Sequence, residues 1–180
     1  MARLASSTVT VFGVGGVGSA AAEALVRSGV GRVILVDYDR ICVTNVNRQL
    51  HAMKGTLGKP KAAVMAERLR LVNPDAAIEA RAEFYGAETS ARLLVPEPDV
   101  VIDAIDCTRP VGVWAVFSDE PPIAPHALAY DDGAFRCVCP GGDNGVNDCE
   151  HRNRVEGSVA FVPSVFGITA ASVATKLLLA

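Results

Sequence analysis

A glycine-rich segment near the start of the chain separates a β-branched run from an alanine-rich run. The composition of Thr8–Phe12 is typical of a buried strand, and residues 19–28 have the spacing of a helix. The segment between them reads Gly13-x-Gly15-Gly16-x-Gly18, followed by Ser19. A strand, a tight glycine turn and a helix N-terminus bring backbone amides close to a phosphate and direct the helix dipole at its charge. This segment therefore predicts a nucleotide-binding site.

Strand-like and helix-like runs alternate along the first part of the chain. The predicted strands are residues 8–12, 32–36, 77–82 and 100–104, and the predicted helices are residues 19–28, 61–71 and 87–94. These strands are apolar throughout rather than at every second residue, which is typical of a parallel sheet covered on both faces. We predict an α/β, Rossmann-like nucleotide-binding fold with a mainly parallel sheet and helices on both faces, entered directly from Met1. A hairpin, at residues 127–130 and 134–138, and a helix from about residue 164 complete it.

The composition limits the class of protein. With 180 residues, of which 50% are hydrophobic and 21% charged, the chain has the size and composition of one globular domain. A formal net charge of −3 gives no overall attraction to nucleic acid. Residues 158–180 are apolar but interrupted by Pro163, Gly167 and Lys176, which predicts a buried helix and no membrane insertion. Five cysteines without a secretory signal predict a reduced protein of the cytoplasm.

A carboxylate follows the second predicted strand. Asp37 lies about twenty residues beyond the glycine segment, where a carboxylate accepts hydrogen bonds from the ribose of a bound nucleotide. Sites for NAD and for ATP share this pattern, so by itself it leaves both nucleotides open.

The polar segment after Asp37 favours ATP over NAD. It reads D-x-D-x5-N-x2-R-Q and is followed by a lysine, which gives as candidate ligands Asp39, Asn45, Arg48, Gln49 and Lys61. A triphosphate needs cations to neutralise its phosphates, whereas a dinucleotide has little use for them at this place. Asp106, after the fourth predicted strand, falls at the edge of the sheet where ligands bind, and a lone carboxylate facing phosphates suits Mg²⁺. The predicted ligands are therefore ATP and Mg²⁺.

These motifs, in this order, resemble those of the ubiquitin-activating and sulfur-carrier-activating adenylating enzymes. The resemblance runs from residue 9 to residue 106 and is most specific in residues 43–52, 66–74 and 101–106. Within this superfamily the chain is similar to the family of bacterial tRNA threonylcarbamoyladenosine dehydratases, including short elements at residues 116–118 and 148–149. That family uses ATP to activate the side-chain carboxylate of N6-threonylcarbamoyladenosine at position 37 of tRNA, which then closes to a cyclic form with loss of water.

The resemblance implies a role for each matching residue. Gly13, Gly15, Gly16, Gly18 and Ser19 would form the phosphate loop, Asp37 would bind the ribose, and the remaining nucleotide ligands would be Asp39, Asn45, Arg48, Gln49 and Lys61. Catalytic roles would fall to Arg48 and Lys61, as cations at the α-phosphate, and to Asp106 as the Mg²⁺ ligand. The implied partners are an ANN-decoding tRNA carrying threonylcarbamoyladenosine at position 37, a second copy of the chain in a homodimer, and cysteine desulfurases or sulfur acceptors.

Two departures from the family pattern concern the extent of the chain. Residues 108–110 resemble the start of a helix and residues from Val111 onward resemble a much later segment, so we expect a spatial gap or missing residues between Pro110 and Val111. Relatives also have an N-terminal arm before the first strand, which is missing here. The sequence thus predicts a single adenylating domain of the ThiF type over residues 1–180, without these two segments.

Two other functions remain open at this point. An adenylyltransferase for a ubiquitin-like sulfur carrier is expected to have paired C-x2-C zinc motifs, which the sequence lacks. An NAD-dependent oxidoreductase, or a nucleotide-binding module without activity, needs only the glycine segment and Asp37.

The cysteines and His51 are expected to be structural. Cys137-x-Cys139 and Cys149-x-His151 supply four side chains of the zinc-ligand type, but small buried thiols on one face of a strand are common, which favours packing. Ring closure within one substrate needs no protein thiol, so we expect no catalytic cysteine. His51 is expected to cap a local helix rather than to touch the ligand.

Overall fold

The structure is a computed structural model of the chain, and it describes residues 2–105 and 161–180. In chain order its elements are α1 (Ala2–Ser6), β1 (Thr8–Phe12), α2 (Gly16–Arg27), β2 (Arg32–Val36), a 3₁₀ turn (Val43–Asn45), α3 (Lys61–Val72), β3 (Ala77–Arg81), α4 (Ser90–Leu93), β4 (Val100–Asp103) and α5 (Phe161–Leu179). Every strand and helix predicted within the described ranges is present, so the α/β class is confirmed. The predicted hairpin lies outside these ranges.

The four strands form one parallel sheet in the order β3-β2-β1-β4. In the central pair Thr8 lies opposite Arg32 and Phe12 opposite Val36, while Val9 lies opposite Val100 of β4. Because the chain returns from β3 to the far side of β1, the strand order reverses between β1 and β4. Ligands of such sheets bind at the carboxyl ends of the strands beside this reversal. The glycine segment follows β1 at this position.

The larger part of the core lies between the sheet and helices α2, α3 and α5. Its members include, from the strands, Val9, Val11, Val33 and Leu35 and, from the helices, Leu25, Met65, Leu69 and Ala174. Complete burial of one large aliphatic side chain stabilises a fold by about 1.5–3 kcal/mol, so this cluster holds the three helices on the sheet. The opposite face carries a smaller cluster, in which Phe12, Ile34 and Val36 pack against Leu93 of α4.

The two outer strands of the described sheet are less buried than predicted. β1 and β2 are buried along their last four residues, as expected of central strands. In β3 only Ile78 is buried, and in β4 only Ile102. The prediction of continuously buried strands is wrong for β3, which is the edge strand of the described sheet. There Glu79 forms ion pairs with Arg32 at 3.0 Å and with Arg81 at 2.8 Å.

The chain does not enter β1 directly, in contrast to the prediction, because α1 precedes it. Leu4 of α1 is buried in the main core, and its carbonyl oxygen accepts hydrogen bonds from Ser7 N at 3.0 Å and from Gly31 N at 2.9 Å. A Cβ on Gly31 would collide with the carbonyl oxygen of Ala5, so this glycine permits the close approach of α1. A helix of five residues is unstable alone and depends on such tertiary contacts, which sequence periodicity does not reveal.

Helix α5 is long and apolar enough to span a membrane by length and composition, with a mean hydropathy of 1.5 over Val162–Leu179. One face packs against α2 and buries Ala171, Ala174 and Leu178. On the other face Val165 is 60% and Ile168 56% exposed. The prediction of a buried helix is therefore correct for one face only.

Replacing Gly167 in α5 by alanine tests the contact between α2 and α5. A Cβ at this position would collide with the carbonyl oxygen of Val17 and lie 2.9 Å from Ala20 Cβ. We expect Gly167→Ala to lower the free energy of unfolding by about 1–3 kcal/mol, as overpacking does, in urea denaturation. The control Ser172→Ala, on the exposed face of the same helix, should change it by less than about 0.5 kcal/mol. Equal stability of both variants would contradict the close packing.

Candidate nucleotide-binding site

The glycine segment turns the chain from β1 into α2. Gly13 has a φ of +79°, in the left-handed region that glycine adopts at no steric cost, and a Cβ on it would lie 2.6 Å from the carbonyl oxygen of Ala104. A Cβ on Gly18 would collide with the carbonyl oxygen of Gly13. Gly15 is different, because the nearest atom to a Cβ there is Nε2 of Gln49, 3.9 Å away. The loop is thus tightly packed against backbone atoms at Gly13 and Gly18, and it is open beside Gly15.

Helix α2 begins at Gly16 without a side-chain cap. The first backbone bond of its initial turn runs from Ser19 N to the carbonyl oxygen of Gly15 at 3.0 Å, so helix geometry leaves the amides before Ser19 without helical acceptors. The positive end of the helix dipole lies at the same place, and the two together suit a phosphate. Ser19 itself is buried, with Oγ 3.5 Å from the carbonyl oxygen of Gly16, and does not extend into the loop.

Asp37 connects the end of β2 to the glycine segment. Its Oδ2 accepts a hydrogen bond from Val14 N at 2.6 Å, and its Oδ1 accepts one from Asp39 N at 2.8 Å. Burial raises the pKa of the Asp37 carboxyl, which is 9% exposed, while the charge of Lys61 and the bond from Val14 oppose that rise. The sequence assigned this carboxylate to the nucleotide alone, whereas the structure also gives it a part in holding the loop.

Lys61 lies at the start of α3 in a partly buried ion pair, in which the lysine side chain is buried and the Asp39 side chain is 30% exposed. Its Nζ is 2.7 Å from Oδ2 of Asp39, and its backbone N donates to the carbonyl oxygen of Asp39 at 3.0 Å. The ammonium group is also close enough to Asp37 to lower the pKa of that carboxyl. The carboxylates of Asp37 and Asp39 and the ammonium group of Lys61 therefore lie close together at the end of β2. An ammonium group has three donors, so Lys61 keeps capacity for a ligand while Asp39 fixes its position.

Asn45 and Arg48 stand in and after the 3₁₀ turn. Asn45 is buried, and its Oδ1 accepts a hydrogen bond from Cys42 N at 2.9 Å, which holds the turn. Nη1 of Arg48 donates to the carbonyl oxygen of Thr44 at 2.9 Å and to Oδ1 of Asn47 at 3.0 Å. The guanidinium is thus held by neutral acceptors and forms no ion pair among the described residues.

Gln49 joins this segment to the glycine loop. The carbonyl oxygen of Arg48 lies 3.4 Å from the position that a Cβ on Gly16 would take. In the same way, Nε2 of Gln49 lies 3.9 Å from the position of a Cβ on Gly15. The Gln49 side chain is buried, and its Oε1 has no hydrogen-bond partner among the described residues. A buried polar atom without a partner costs about 1–3 kcal/mol. The amide nitrogen beside the open glycine turn is a donor suited to an anionic ligand at this place.

The predicted metal ligand, Asp106, lies outside the described residues. At the end of β4, Oδ1 of Asp103 accepts a hydrogen bond from Ile105 N at 3.1 Å. Within residues 2–105 and 161–180 no group of three or more His, Cys, Asp or Glu side chains is arranged to hold a metal ion. The magnesium site stays a prediction from the sequence. Also outside the described ranges are the expected break between Pro110 and Val111 and the candidate zinc ligands Cys137, Cys139, Cys149 and His151.

Two aromatic pairs that the sequence analysis did not single out lie beside Asp37. The ring of Tyr38 is 5.1 Å from that of Phe84, edge to face, and the ring of Tyr85 is 4.3 Å from that of Phe12. Phe84 is 49% exposed. They form an apolar wall at the ends of β2 and β3, and the only sequence signal is the Phe84-Tyr85 pair shortly after β3.

His51 differs from its prediction. It is fully buried, and neither of its ring nitrogens has a hydrogen-bond partner among the described residues, so it caps no helix there. Burial, assisted by the charges of Lys61 and Arg68, lowers the pKa of His51 to about 4. The side chain is therefore a neutral part of the core under the site.

Cys42 also differs from the expectation of reduced thiols, since it is disulfide-bonded in the structure. Spacing along the chain could not reveal this, because a disulfide depends on which residues the fold brings together.

These features are those of a Rossmann-like α/β protein: a parallel sheet, a glycine turn into a helix N-terminus, and a carboxylate and cations at the same edge. The whole chain, residues 1–180, matches the ThiF family. The chain belongs to that family, which confirms the resemblance to adenylating enzymes.

Named relatives specify the similarity further. The chain is 50% identical over 106 residues to the tRNA threonylcarbamoyladenosine dehydratase of Haemophilus influenzae, a match that covers 59% of this chain and 41% of that protein. It is 30% identical over 190 residues to the sulfur carrier protein ThiS adenylyltransferase of Escherichia coli, covering 98% and 74%. The crystal structure of E. coli dehydratase TcdA in complex with ATP aligns with a TM-score of 0.57 and 46% identity over 59% of this chain and 44% of that chain. The chain thus spans less than half the length of these dehydratases.

Removing the Asp37 carboxylate should destabilise the protein before any nucleotide is added. We expect Asp37→Ala to cost about 1–3 kcal/mol of unfolding free energy, because the buried Val14 N–H loses its acceptor. Asp99 offers a matched control, since its exposed carboxylate accepts a backbone bond from Thr8 N at 2.8 Å. Asp99→Ala should cost less, because water replaces the lost bond there. Urea denaturation measures the unfolding free energies of both variants. Equal losses in Asp37→Ala and Asp99→Ala would contradict the structural role of Asp37.

His51 predicts a pH dependence of stability. Between pH 6.5 and about 4 the unfolded chain binds a proton at His51 that the folded chain does not. Stability is therefore fully present above pH 6.5 and falls as the pH is lowered, by about 3 kcal/mol at pH 4. We expect His51→Phe, which cannot titrate, to show a smaller loss than the unaltered protein when unfolding free energies at pH 7 and pH 4.5 are compared. Parallel losses would contradict the lowered pKa.

Proposed function

We propose that this chain is an ATP-dependent tRNA-modifying enzyme that converts N6-threonylcarbamoyladenosine at position 37 of ANN-decoding tRNA to its cyclic form through adenylation of the side-chain carboxylate. The observation that carries the proposal is the 50% identity over 106 residues with the H. influenzae dehydratase. The ATP complex of the related TcdA supports ATP as the nucleotide.

The described residues fit ATP in one orientation. The phosphates would lie at the N-terminus of α2, where helix amides and the Gln49 side chain converge on the glycine turn. The ribose would lie at Asp37, whose carboxylate keeps lone pairs beyond the two that accept backbone bonds. The phosphates would accept hydrogen bonds from Nε2 of Gln49, the atom of that side chain that lies nearest Gly15.

The reaction then depends on charge. A carboxylate oxygen of the threonyl group attacks the α-phosphorus of ATP, the bond to the β-phosphate breaks, and pyrophosphate leaves. Arg48 and Lys61 would stabilise the negative charge that grows on the α-phosphate, with Lys61 held in place by Asp39. The carbamoyl group next attacks the activated carbonyl carbon, and AMP leaves with the carboxylate oxygen. The sum is the loss of one water from the nucleoside at the expense of one ATP.

Several further parts of the proposal rest on the family resemblance. They are Mg²⁺ bound through Asp106, assembly as a homodimer, sulfur-transfer proteins as partners, and a place in the cytoplasm, where ATP and tRNA occur together. Mg²⁺ dependence of ATP binding and sedimentation velocity test the first two directly.

A second candidate function is adenylation of the C-terminus of a ubiquitin-like sulfur carrier. The match to the ThiS adenylyltransferase favours it in one respect, since it covers 98% of this chain whereas the dehydratase match covers 59%. ATP–pyrophosphate exchange that depends on a carrier protein would support this second function.

The decisive experiment is mass spectrometry of tRNA nucleosides after incubation of threonylcarbamoyladenosine-containing tRNA with ATP and the protein. We expect the cyclic nucleoside to appear only when ATP and protein are both present, together with AMP. Binding of ATP without any cyclic product, combined with carrier-dependent exchange, would replace the first function by the second.

Arg48→Ala should lower kcat about 100-fold or more while changing ATP affinity much less, because its cation acts on charge that develops in the transition state. Lys61→Ala should behave alike, with an added loss of stability from the unpaired Asp39. The control Arg3→Ala removes an exposed cation remote from the glycine turn and should leave both constants unchanged. A change confined to the KM for ATP would make Arg48 a ground-state ligand instead.

A further inference from the structure

The residues from Arg40, in the loop after β2, to Ala66, in the second turn of α3, differ in charge from the rest of the chain. Residues 40–66 contain five of the 17 Lys and Arg residues and none of the 20 Asp and Glu residues. A strongly basic segment within an acidic protein is a local feature that the net charge of −3 conceals. The cations are Arg40, Arg48, Lys54, Lys59 and Lys61.

Three of these cations, Arg40, Lys54 and Lys59, are exposed. None of the three forms an ion pair within the described part of the chain. The ion pairs that the structure describes belong instead to Arg27, Arg32, Lys61, Arg68, Arg81 and Arg92. The exposed cations of this segment are thus not neutralised by the described carboxylates, which leaves their charge for an external anion.

The segment is held in a defined shape. Its ends pair as Arg40 with Pro60 in an antiparallel bridge, and the backbone N of Ile41 donates to the carbonyl oxygen of Lys59 at 2.9 Å. Between them Thr56 Oγ1 donates to the carbonyl oxygen of Met53 at 2.8 Å and accepts from its backbone N at 2.9 Å. A surface already ordered in the free protein loses little conformational entropy when it binds.

The position of the segment links it to the candidate site. Arg40 follows Asp39, and Lys59 lies two residues before Lys61, so both ends of the segment meet at the Asp39–Lys61 ion pair. A substrate nucleotide that reaches the α-phosphate as part of a polynucleotide must pass its flanking phosphates over the surface next to this pair. The side chains of Met53 and Leu57, about 45% exposed, lie among the cations and offer apolar contact to unstacked bases.

We propose that Arg40, Lys54 and Lys59, the basic surface of this segment, bind the phosphates of the tRNA beside the nucleotide to be modified. This inference rests on the proposed tRNA-modifying function and adds the surface that receives the polynucleotide. Phosphate contacts of this kind contribute affinity and position without reading sequence, and they weaken with salt because counterions are released on binding.

The test compares two double variants of the full chain. Lys54→Gln with Lys59→Gln removes two cations of the basic surface without touching Arg40, whose Nη1 donates to the carbonyl oxygen of Gly58 at 2.8 Å. Arg3→Gln with Lys176→Gln removes two exposed cations elsewhere and is the matched control. Fluorescence anisotropy with threonylcarbamoyladenosine-containing tRNA, at a series of salt concentrations, gives the Kd and its salt dependence. ATP affinity is measured in the same samples.

We expect the Lys54/Lys59 variant to bind tRNA about three- to tenfold more weakly at low salt, with the slope of log K against log[salt] reduced by about 1.4. The control variant should match the unaltered protein, and ATP affinity should stay the same in all three. A Kd and a slope equal to those of the unaltered protein would overturn the inference while leaving the proposed function intact. A loss of self-association with unchanged tRNA affinity would also overturn it and assign the surface to contacts between copies of the chain. Failure of the unaltered protein to bind tRNA, with ATP bound normally, would instead overturn the proposed function.

Discussion

The two hydrogen bonds of the Asp37 carboxylate are the interaction on which the candidate site depends. Through Val14 N they fix the start of the glycine turn to the end of β2, and through Asp39 N they fix the residue that holds Lys61. One buried side chain thereby sets the positions of the glycine turn and of the nearest cation. Because burial raises the pKa of this carboxyl while Lys61 opposes the rise, the charges of Asp37 and Lys61 support each other.

The same arrangement explains how a small sheet can hold charged groups at its edge. The apolar clusters lie on the faces of the sheet, and the ionised groups of the candidate site, Asp37, Asp39 and Lys61, stand beyond the strand ends, where backbone amides and opposite charges satisfy them. His51 is fully buried in its neutral form and is close enough to Lys61 for that charge to help lower its pKa. The charged side chains of the candidate site and the apolar side chains of the core are therefore separated along the strand direction.

Much of the fold could be predicted because strands and helices of this kind have local signals. The bounds of Thr8–Phe12 and Arg32–Val36 are as predicted, and Gly13 and Asp37 converge as the strand–turn–helix pattern requires. What local pattern could not supply was set by distant contacts. Helix α1 packs on the core through Leu4 where Gly31 lets it approach, and Glu79 is accommodated in β3 by ion pairs with Arg32 and Arg81. The pairing of Lys61 with Asp39, 22 residues apart, follows from the bridge that closes the basic segment.

The contact of Pro163 with the first residue of α2 connects the end of the chain to its beginning. A Cβ on Gly16 would lie 2.9 Å from Cβ of Pro163, so α5 rests directly on the turn whose amides face the candidate phosphates. A displacement of α5 from α2 would open this contact and remove one support of the glycine turn. The position of the last helix of the chain is thus a structural condition for the shape of its first loop.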